Sequence, residues 1–352
     1  MTPWGDGRGR RSGLRRPEAS VRPGQTLREF RDANPLLGDA PRLQAEFDQS
    51  GYLYFRDVLD AATVGALYGS LLAALRDAGL VAPDCAMPVW NGMALENFTE
   101  KVKSLEAAEP WRAFRDEADM EGWLQRTLGG EYRCLPLCSY RMAPPSTDPP
   151  QRGPAAARFK RIHQDGYYNR GLRFLICWVP LMHIPPDVGG VAVAEGWHRE
   201  LLPHASSGPT MFSIASDVIP EEAWVSTHFR PGDLLVMRET TPHTAIVNRS
   251  NRFRLSFDFR LSAAPSELPI LGRVVSIDCD RLVLATAEGD TVTLVIDGET
   301  LCPSRRGIAL QHGGWIPQPG IAEHFSVGQQ VLATYRHGRA RLLRRFDIGL
   351  GA

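Results

Sequence analysis

The chain changes its hydrophobic rhythm twice. Between residues 43 and 128 the apolar positions recur at helical spacing. Asp60 is a helix-capping residue type; after it Val64, Leu67, Leu71 and Leu75 fall on one face, and Gly79 marks the stop. Residues 43–55 (LQAEFDQSGYLYF) read as a short helix, a glycine turn and a strand, and a second amphipathic helix is predicted over 111–128. From about residue 132 the period falls to two. Short β-like runs at 132–141, 172–181, 191–194, 234–237 and 252–261 are separated by Gly and Pro, the pattern of a barrel or sandwich with the preceding helices packed outside it. The pattern breaks at 262–269 (SAAPSELP), as at a linker. Beyond it, GRVVSIDCDRLVLATAEGDTVTLVID, IAEHFSVGQQVLATYR and ARLLRRFDI supply about five more short strands, enough for a small β-barrel of OB or SH3-like type. Residues 1–40, rich in Gly, Arg and Pro, are expected to be poorly ordered. The organisation predicted is a segment 1–40, a main domain 41–265 and a barrel 266–352.

Composition narrows the functions. The 352 residues carry no net charge, which removes a general electrostatic drive toward nucleic acid or anionic membrane. No apolar run approaches the roughly 18 residues of a membrane span, and the basic N-terminus lacks the apolar stretch of a secretory signal. The cysteines, Cys85, Cys134, Cys138, Cys177, Cys279 and Cys302, form no Cys-x-x-Cys pair, so reduced cytoplasmic thiols are expected rather than a zinc ribbon; Cys134 and Cys138 read as core thiols. Lysine is rare, at Lys101, Lys103 and Lys160 only, so each is worth weighing.

One stretch carries chemistry: Arg161-Ile-His-Gln-Asp-Gly-Tyr-Tyr-Asn169. On a strand His163 and Asp165 would share a face and reach one ion, with Gln164 turned away. Alone, such a pair is more often a polar surface turn. His243, in RETTPHT, offers a third ligand. Two histidines and one carboxylate leave half an octahedron open, the facial arrangement of non-haem Fe(II) oxygenases. Eleven residues further lies Arg254, in RFRLSFDFR. There Phe253, Leu255, Phe257 and Phe259 share one face, and Arg254, Ser256 and Asp258 the other, which makes Arg254 a bidentate carboxylate clamp on an inner strand.

His-x-Asp, the distal histidine and the arginine, behind an N-terminal helical region, resemble the phytanoyl-CoA dioxygenase family of Fe(II)/2-oxoglutarate oxygenases. CWVPLMHI at 177–184, Gly189-Gly190 and AEGWH at 194–198 are similar to that family's tryptophan strand and Gly-x-His turn. The resemblance covers about 45–262. It implies a double-stranded β-helix of cupin-like, jelly-roll form, mainly β with flanking helices. It implies Fe(II) on His163, Asp165 and His243, with 2-oxoglutarate and O2 as co-substrates. Arg254 would take the distal carboxylate of 2-oxoglutarate, and Trp178 and Lys101 would line its site. Tyr167 and Tyr168 are the first candidates for substrate contact. Asp165 stands where related halogenases carry a small residue, which implies hydroxylation or another oxidation. Two features depart from the family. Ala245 occupies a position often held by a small hydroxyl residue, leaving either Thr244 as substitute or a weaker co-substrate contact. The Pro/Arg-rich loop 144–160 is longer than expected and is placed near the mouth of the site. His183, His198, His204 and His228 read as structural or exposed.

The expected partner is a small-molecule substrate of secondary metabolism, with no nucleic acid and no membrane. The barrel is expected to form a homo-oligomer contact or to cover the site. Three other readings stay open: a binding module that keeps the triad without turnover, a zinc hydrolase on the same ligands, and an oxygenase that desaturates, cyclises or oxidatively deaminates.

Overall fold

The computed structural model describes residues 27–96, 98–101, 105, 108–146, 159–169, 171–206, 212–262, 267–286, 289–303 and 316–345. Residues 1–26, Lys103, most of the loop at 144–160 and the centre of the expected linker lie outside them. The expectation of poor order up to residue 40 does not hold for 27–40. Here β1 (Arg28–Glu29) and a 3-10 turn at Asn34–Leu36 lead into the body. The anchor is Phe30, whose ring meets Tyr52 at 4.9 Å and Tyr54 at 5.3 Å. A glycine- and arginine-rich flank thus ends in a buried aromatic that composition alone does not reveal.

Helix α1 (Ala40–Ser50) starts where the Asp39 carboxylate accepts the Arg42 amide. It stops at Gly51, whose φ of 83° turns the chain into β2 (Tyr52–Phe55). Helix α2 (Ala61–Asp77) is capped by Asp60 and buries Val64, Leu67, Leu71 and Leu75, as its spacing predicts. A short α3 (Phe98–Lys101) follows. The single helix expected over 111–128 is instead two, α4 (Trp111–Ala118) and α5 (Met120–Leu128), divided by Asp119 in the left-handed region at φ 43°. The cause is a phase slip. At about 100° per residue, Met120 would stand roughly opposite Trp111 on one continuous helix. The break lets both Trp111 and Met120 face the core, and aspartate tolerates the left-handed conformation better than most residues.

The strands follow: β3 (Arg133–Ala143), then after a one-turn helix α6 (Asp165–Tyr168) come β4 (Phe174–Pro180) and β5 (Val191–Ala194). A small hairpin, β6 (Ala205–Ser206) and β7 (Phe212–Ser213), precedes β8 (Trp224–Ser226), β9 (Leu234–Arg238), β10 (His243–Ala245) and β11 (Arg254–Ser262). They build a four-stranded sheet, β1-β8-β5-β10, and a five-stranded sheet, β2-β9-β4-β11-β3. Strand β11 runs antiparallel between β3 and β4 and is buried along its whole length. Phe257 and Phe259 pack edge-on against Phe114 of α4, at 5.4 and 5.9 Å. The opposite face of β11 carries its charges inward. Arg254 extends to the carbonyls of Gly189 and Gly190, at the entrance to β5 of the other sheet.

The remaining strands, β12 (Leu268–Ile277), β13 (Arg281–Thr286), β14 (Thr291–Val295), β15 (Gln330–Arg336) and β16 (Arg339–Arg345), close into a barrel in the order β12-β13-β14-β16-β15. Helix α7 (Gln318–His324) lies before β15. The chain is therefore mainly β with few helices and ends in a closed five-stranded barrel. Leu282, Leu284, Leu294, Val331 and Leu343 fill the barrel, whereas Leu332 and Leu342 join the core of the main body. Leu284 is fully enclosed. Leu284→Ala should therefore lower stability by about 2–5 kcal/mol, the usual cost of an unfilled leucine site, as read from the urea midpoint of the full chain.

Candidate metal centre

His163 and His243 lie eighty residues apart but face each other as an antiparallel pair. Each backbone amide donates to the other's carbonyl, at 3.0 and 2.9 Å, and the imidazole centroids are 4.4 Å apart. The Nδ1 of His163 meets the Arg161 carbonyl at 3.1 Å and that of His243 meets the Thr241 carbonyl at 3.0 Å. A carbonyl can only accept, so Nδ1 carries the proton and Nε2 keeps its lone pair for a metal. Asp165 completes the group: its Oδ1 is 3.4 Å from His163 Nε2 and 3.8 Å from His243 Nε2. One ligand atom from each residue lies within 4.8 Å of the others.

The local route to this geometry differs from the strand alternation expected. Asp165 opens α6 rather than continuing a strand, and Gln164 is wholly buried instead of turned outward. The Gln164 side-chain amide donates to the Glu200 carbonyl at 2.8 Å and the Thr240 carbonyl at 2.5 Å, while its Oε1 accepts from the Leu202 amide at 2.8 Å. Its own amide donates to His204 Nε2 at 3.2 Å. Gln164 is thus a tie between three loops, and the helical turn after it swings the carboxylate back beside His163.

Charge on the inner face of β11 holds the carboxylate. Arg260 donates to Asp165 Oδ2 at 2.6 Å and also to Asp258 Oδ1, whose other oxygen accepts Arg141 Nε at 2.6 Å. Burial alone would raise the Asp165 carboxyl, but Arg260 and the two histidines beside it outweigh it and hold it well below the usual range. Burial, with His163 beside it, lowers His243 to about 4, so that ring is neutral at pH 7. Burial would lower Arg260 too, yet Asp258 and Asp165 raise it, so it is a permanent cation. Arg260 and Arg141 were missed from sequence, and Asp258 was read only as a member of the Arg254 face, with no role. The signal was there for Arg260: extending the β11 alternation by one step places it on the same face as Arg254 and Asp258.

Arg254 is 5% exposed and spends Nη1 on two backbone carbonyls, at 2.8 and 3.1 Å. Its Nε, and the Ser256 hydroxyl two residues on, are buried with no hydrogen-bond partner among the described residues. Burial, followed by Arg141, lowers its guanidinium to about 10, and it still stays charged at neutral pH. A buried cation with an unused donor is costly unless an anion meets it, so this pocket fits a carboxylate. Gly189 lets its carbonyl approach: at φ 71°, a Cβ there would lie 2.6 Å from the Ile246 carbonyl oxygen.

The other expected site residues divide. Trp178 pairs with Asp258 across β4 and β11, shares the inward face, and packs on Phe229 at 4.7 Å. Tyr168 presents its ring to His163 at 6.1 Å, while Tyr167 is buried and stacks on His204 at 4.0 Å. Lys101 is exposed and donates to the Ala94 carbonyl at 3.4 Å; no described contact joins it to the triad or to Arg254. Thr244 is buried and alternates to the face of β10 away from His243 and Ala245, so its hydroxyl is not a substitute there. His183 and His228 are exposed, and His198 and His204 are buried. Cys134 and Cys138 form no disulfide and are partly buried, packed against the core of the main body.

Two imidazoles and a carboxylate around one point, with hard and borderline donors, fit a mononuclear centre of the non-haem iron oxygenase class. The chain belongs to the phytanoyl-CoA dioxygenase (PhyH) family, which matches residues 47–256, and is accordingly an iron- and 2-oxoglutarate-dependent oxygenase. Among curated proteins it is similar to 1-deoxypentalenic acid 11-beta-hydroxylase of Streptomyces arenae, 26% identical over 263 residues, 68% of this chain and 87% of that one. The Streptomyces exfoliatus enzyme of the same name is 25% identical over 262 residues, with the same shares covered. Among solved structures it is similar to EctD from S. alaskensis with 2-oxoglutarate and 5-hydroxyectoine, at 19% identity and a TM-score of 0.44, covering 69% of this chain and 85% of that one.

The depressed His243 sets a pH dependence for the metal-free protein. Below about pH 6.5 the unfolded chain takes a proton on this histidine that the folded chain refuses until about 4. Stability should therefore fall as pH drops through that window, by up to about 1.4 kcal/mol per unit from this group. Urea unfolding of the chelator-treated protein across the window checks this, and His243→Asn should flatten the slope.

Proposed function

We propose that the protein hydroxylates an unactivated aliphatic C–H bond of a small molecule of secondary metabolism, using Fe(II), 2-oxoglutarate and O2. The carrying observation is that the triad and the unsatisfied Arg254 are served by one inward strand face. In this reading His163, Asp165 and His243 hold the iron, and its bound co-substrate and O2 supply the oxidising power, with succinate and CO2 released. Arg254 Nε and the Ser256 hydroxyl receive the distal carboxylate of 2-oxoglutarate. Trp178 and Phe229 form the apolar wall beside it. Along this network Arg141, Arg254, Arg260 and Arg344 face Asp165 and Asp258, four guanidiniums against two carboxylates. That excess of positive charge suits a dianionic co-substrate. Tyr168, beside His163, is the better placed of the two tyrosines for substrate contact. Lys101 keeps only the role the family resemblance gave it, because the geometry adds nothing to it. The two sheets would be the halves of a double-stranded β-helix spanning about 41–265, with 266–352 a separate barrel unit of OB or SH3-like kind.

The relatives' substrate, 1-deoxypentalenic acid, supplies the first member of a panel of apolar, carboxylate-bearing small molecules. Substrate-dependent formation of succinate, absent without O2, should appear with one of them, and mass spectrometry of the product should show one added oxygen. Loss of two mass units instead would mean desaturation or ring closure. Asp165→Ala should abolish turnover by at least the roughly hundredfold typical of severe damage to a metal shell. Arg254→Met should keep metal affinity but raise the KM for 2-oxoglutarate by about a hundredfold, the scale of two lost hydrogen bonds to a charged group. Equal KM values in the variant and the parent would remove Arg254 from the co-substrate site.

A further inference from the structure

Strand β16 sends successive side chains to opposite sides. Leu343 goes into the barrel core, while Leu342 joins the core of the main body. Arg344 shares the outward side with Leu342, opposite Leu332 of β15, and is only 6% exposed. A guanidinium carried on an apolar docking face is unusual unless something on the far side needs it. What it meets is Asn169, in the loop that leaves α6: Arg344 Nη1 donates to Asn169 Oδ1. Asn169 is itself buried and turns back on the ligand. Its Nδ2 donates to the Asp165 carbonyl at 2.9 Å, and its own amide donates to the same carbonyl at 3.1 Å.

We propose that Arg344, contributed by the C-terminal barrel, is a positioning residue of the metal centre, locking through Asn169 the turn that carries Asp165. The barrel is then part of the oxygenase site rather than an appendage beside it. The electrostatics agree with the geometry. Burial and then Arg260 lower Arg344 to about 10, and Asp165 works in the other direction. Two buried guanidiniums thus serve the ligand turn, Arg260 at the Asp165 carboxylate and Arg344 at Asn169. This inference rests on the reading of His163, Asp165 and His243 as the metal ligands.

Isothermal titration of the chelator-treated full chain with Co(II), alongside its visible absorption, tests both. Loss of binding in Asp165→Ala establishes the ligand reading; unchanged binding there overturns that reading and this one with it. Given that loss, Arg344→Met and Asn169→Ala should each weaken Co(II) by about tenfold and alter the Co(II) absorption. The double variant should be no weaker than either single one, because both act through one contact. Arg344→Lys, which keeps a cation and a donor, should recover most of the affinity. If Arg344→Met does not fold, Arg344→Gln replaces it. A variant that melts at lower temperature yet binds Co(II) within twofold of the parent would make Arg344 a docking residue only and overturn the proposal. Additive losses in the double variant would overturn it equally.

Discussion

Asp165 divides its carboxylate. Oδ1 faces His163 and His243, and Oδ2 is held at 2.6 Å by Arg260. An isolated carboxylate in this interior would gain a proton rather than stay charged. Arg260 prevents that, and its grip on one oxygen leaves the other to the two imidazoles. A carboxylate committed in this way would offer a metal one oxygen, and the other would stay with Arg260. The arrangement of β11, of the turn at 165–169 and of the sheet joint around His163 and His243 all serves that one oxygen.

The cost of this design falls on β11. Its nine residues are buried, and its inward face carries Arg254, Asp258 and Arg260 in series. Buried ion pairs seldom add net stability, because desolvation offsets the attraction. Compensation comes from the other face, where Phe253, Leu255, Phe257 and Phe259 bury a continuous apolar surface against the helices. One strand therefore anchors the core and builds the site, and alternation keeps the two tasks on separate sides.

Much of this was legible in the chain itself, for a physical reason. Alternation in RFRLSFDFR fixed which side chains of β11 point inward, and helical spacing from Val64 to Leu75 fixed the buried face of α2. The triad could be read because iron restricts its ligand types and the family resemblance ordered them. What escaped was non-local. Gln164 looked outward because its partners, the carbonyls of Glu200 and Thr240, lie far along the sequence. The helix break at Asp119 escaped because the phase slip between Trp111 and Met120 is visible only when both are required to face one core. Arg344 looked like one basic residue among the forty of an arginine-biased chain until β16 was seen to end against Asn169.

The separation of the site's parts along the sequence shapes how the protein is made. The metal-binding group comes from positions 163, 165 and 243, and the arginine that holds its carboxylate from position 260. No short fragment leaving the ribosome holds more than the His163–Asp165 pair, too few donors to bind a redox-active metal tightly. The three donors can meet only once the chain has reached His243 and its pairing with His163 has closed, and such non-local pairings are the slow steps of a fold of this kind. A chain that has not yet reached His243 therefore carries too few donors to hold an oxidising metal beside its unfolded thiols and aromatic side chains.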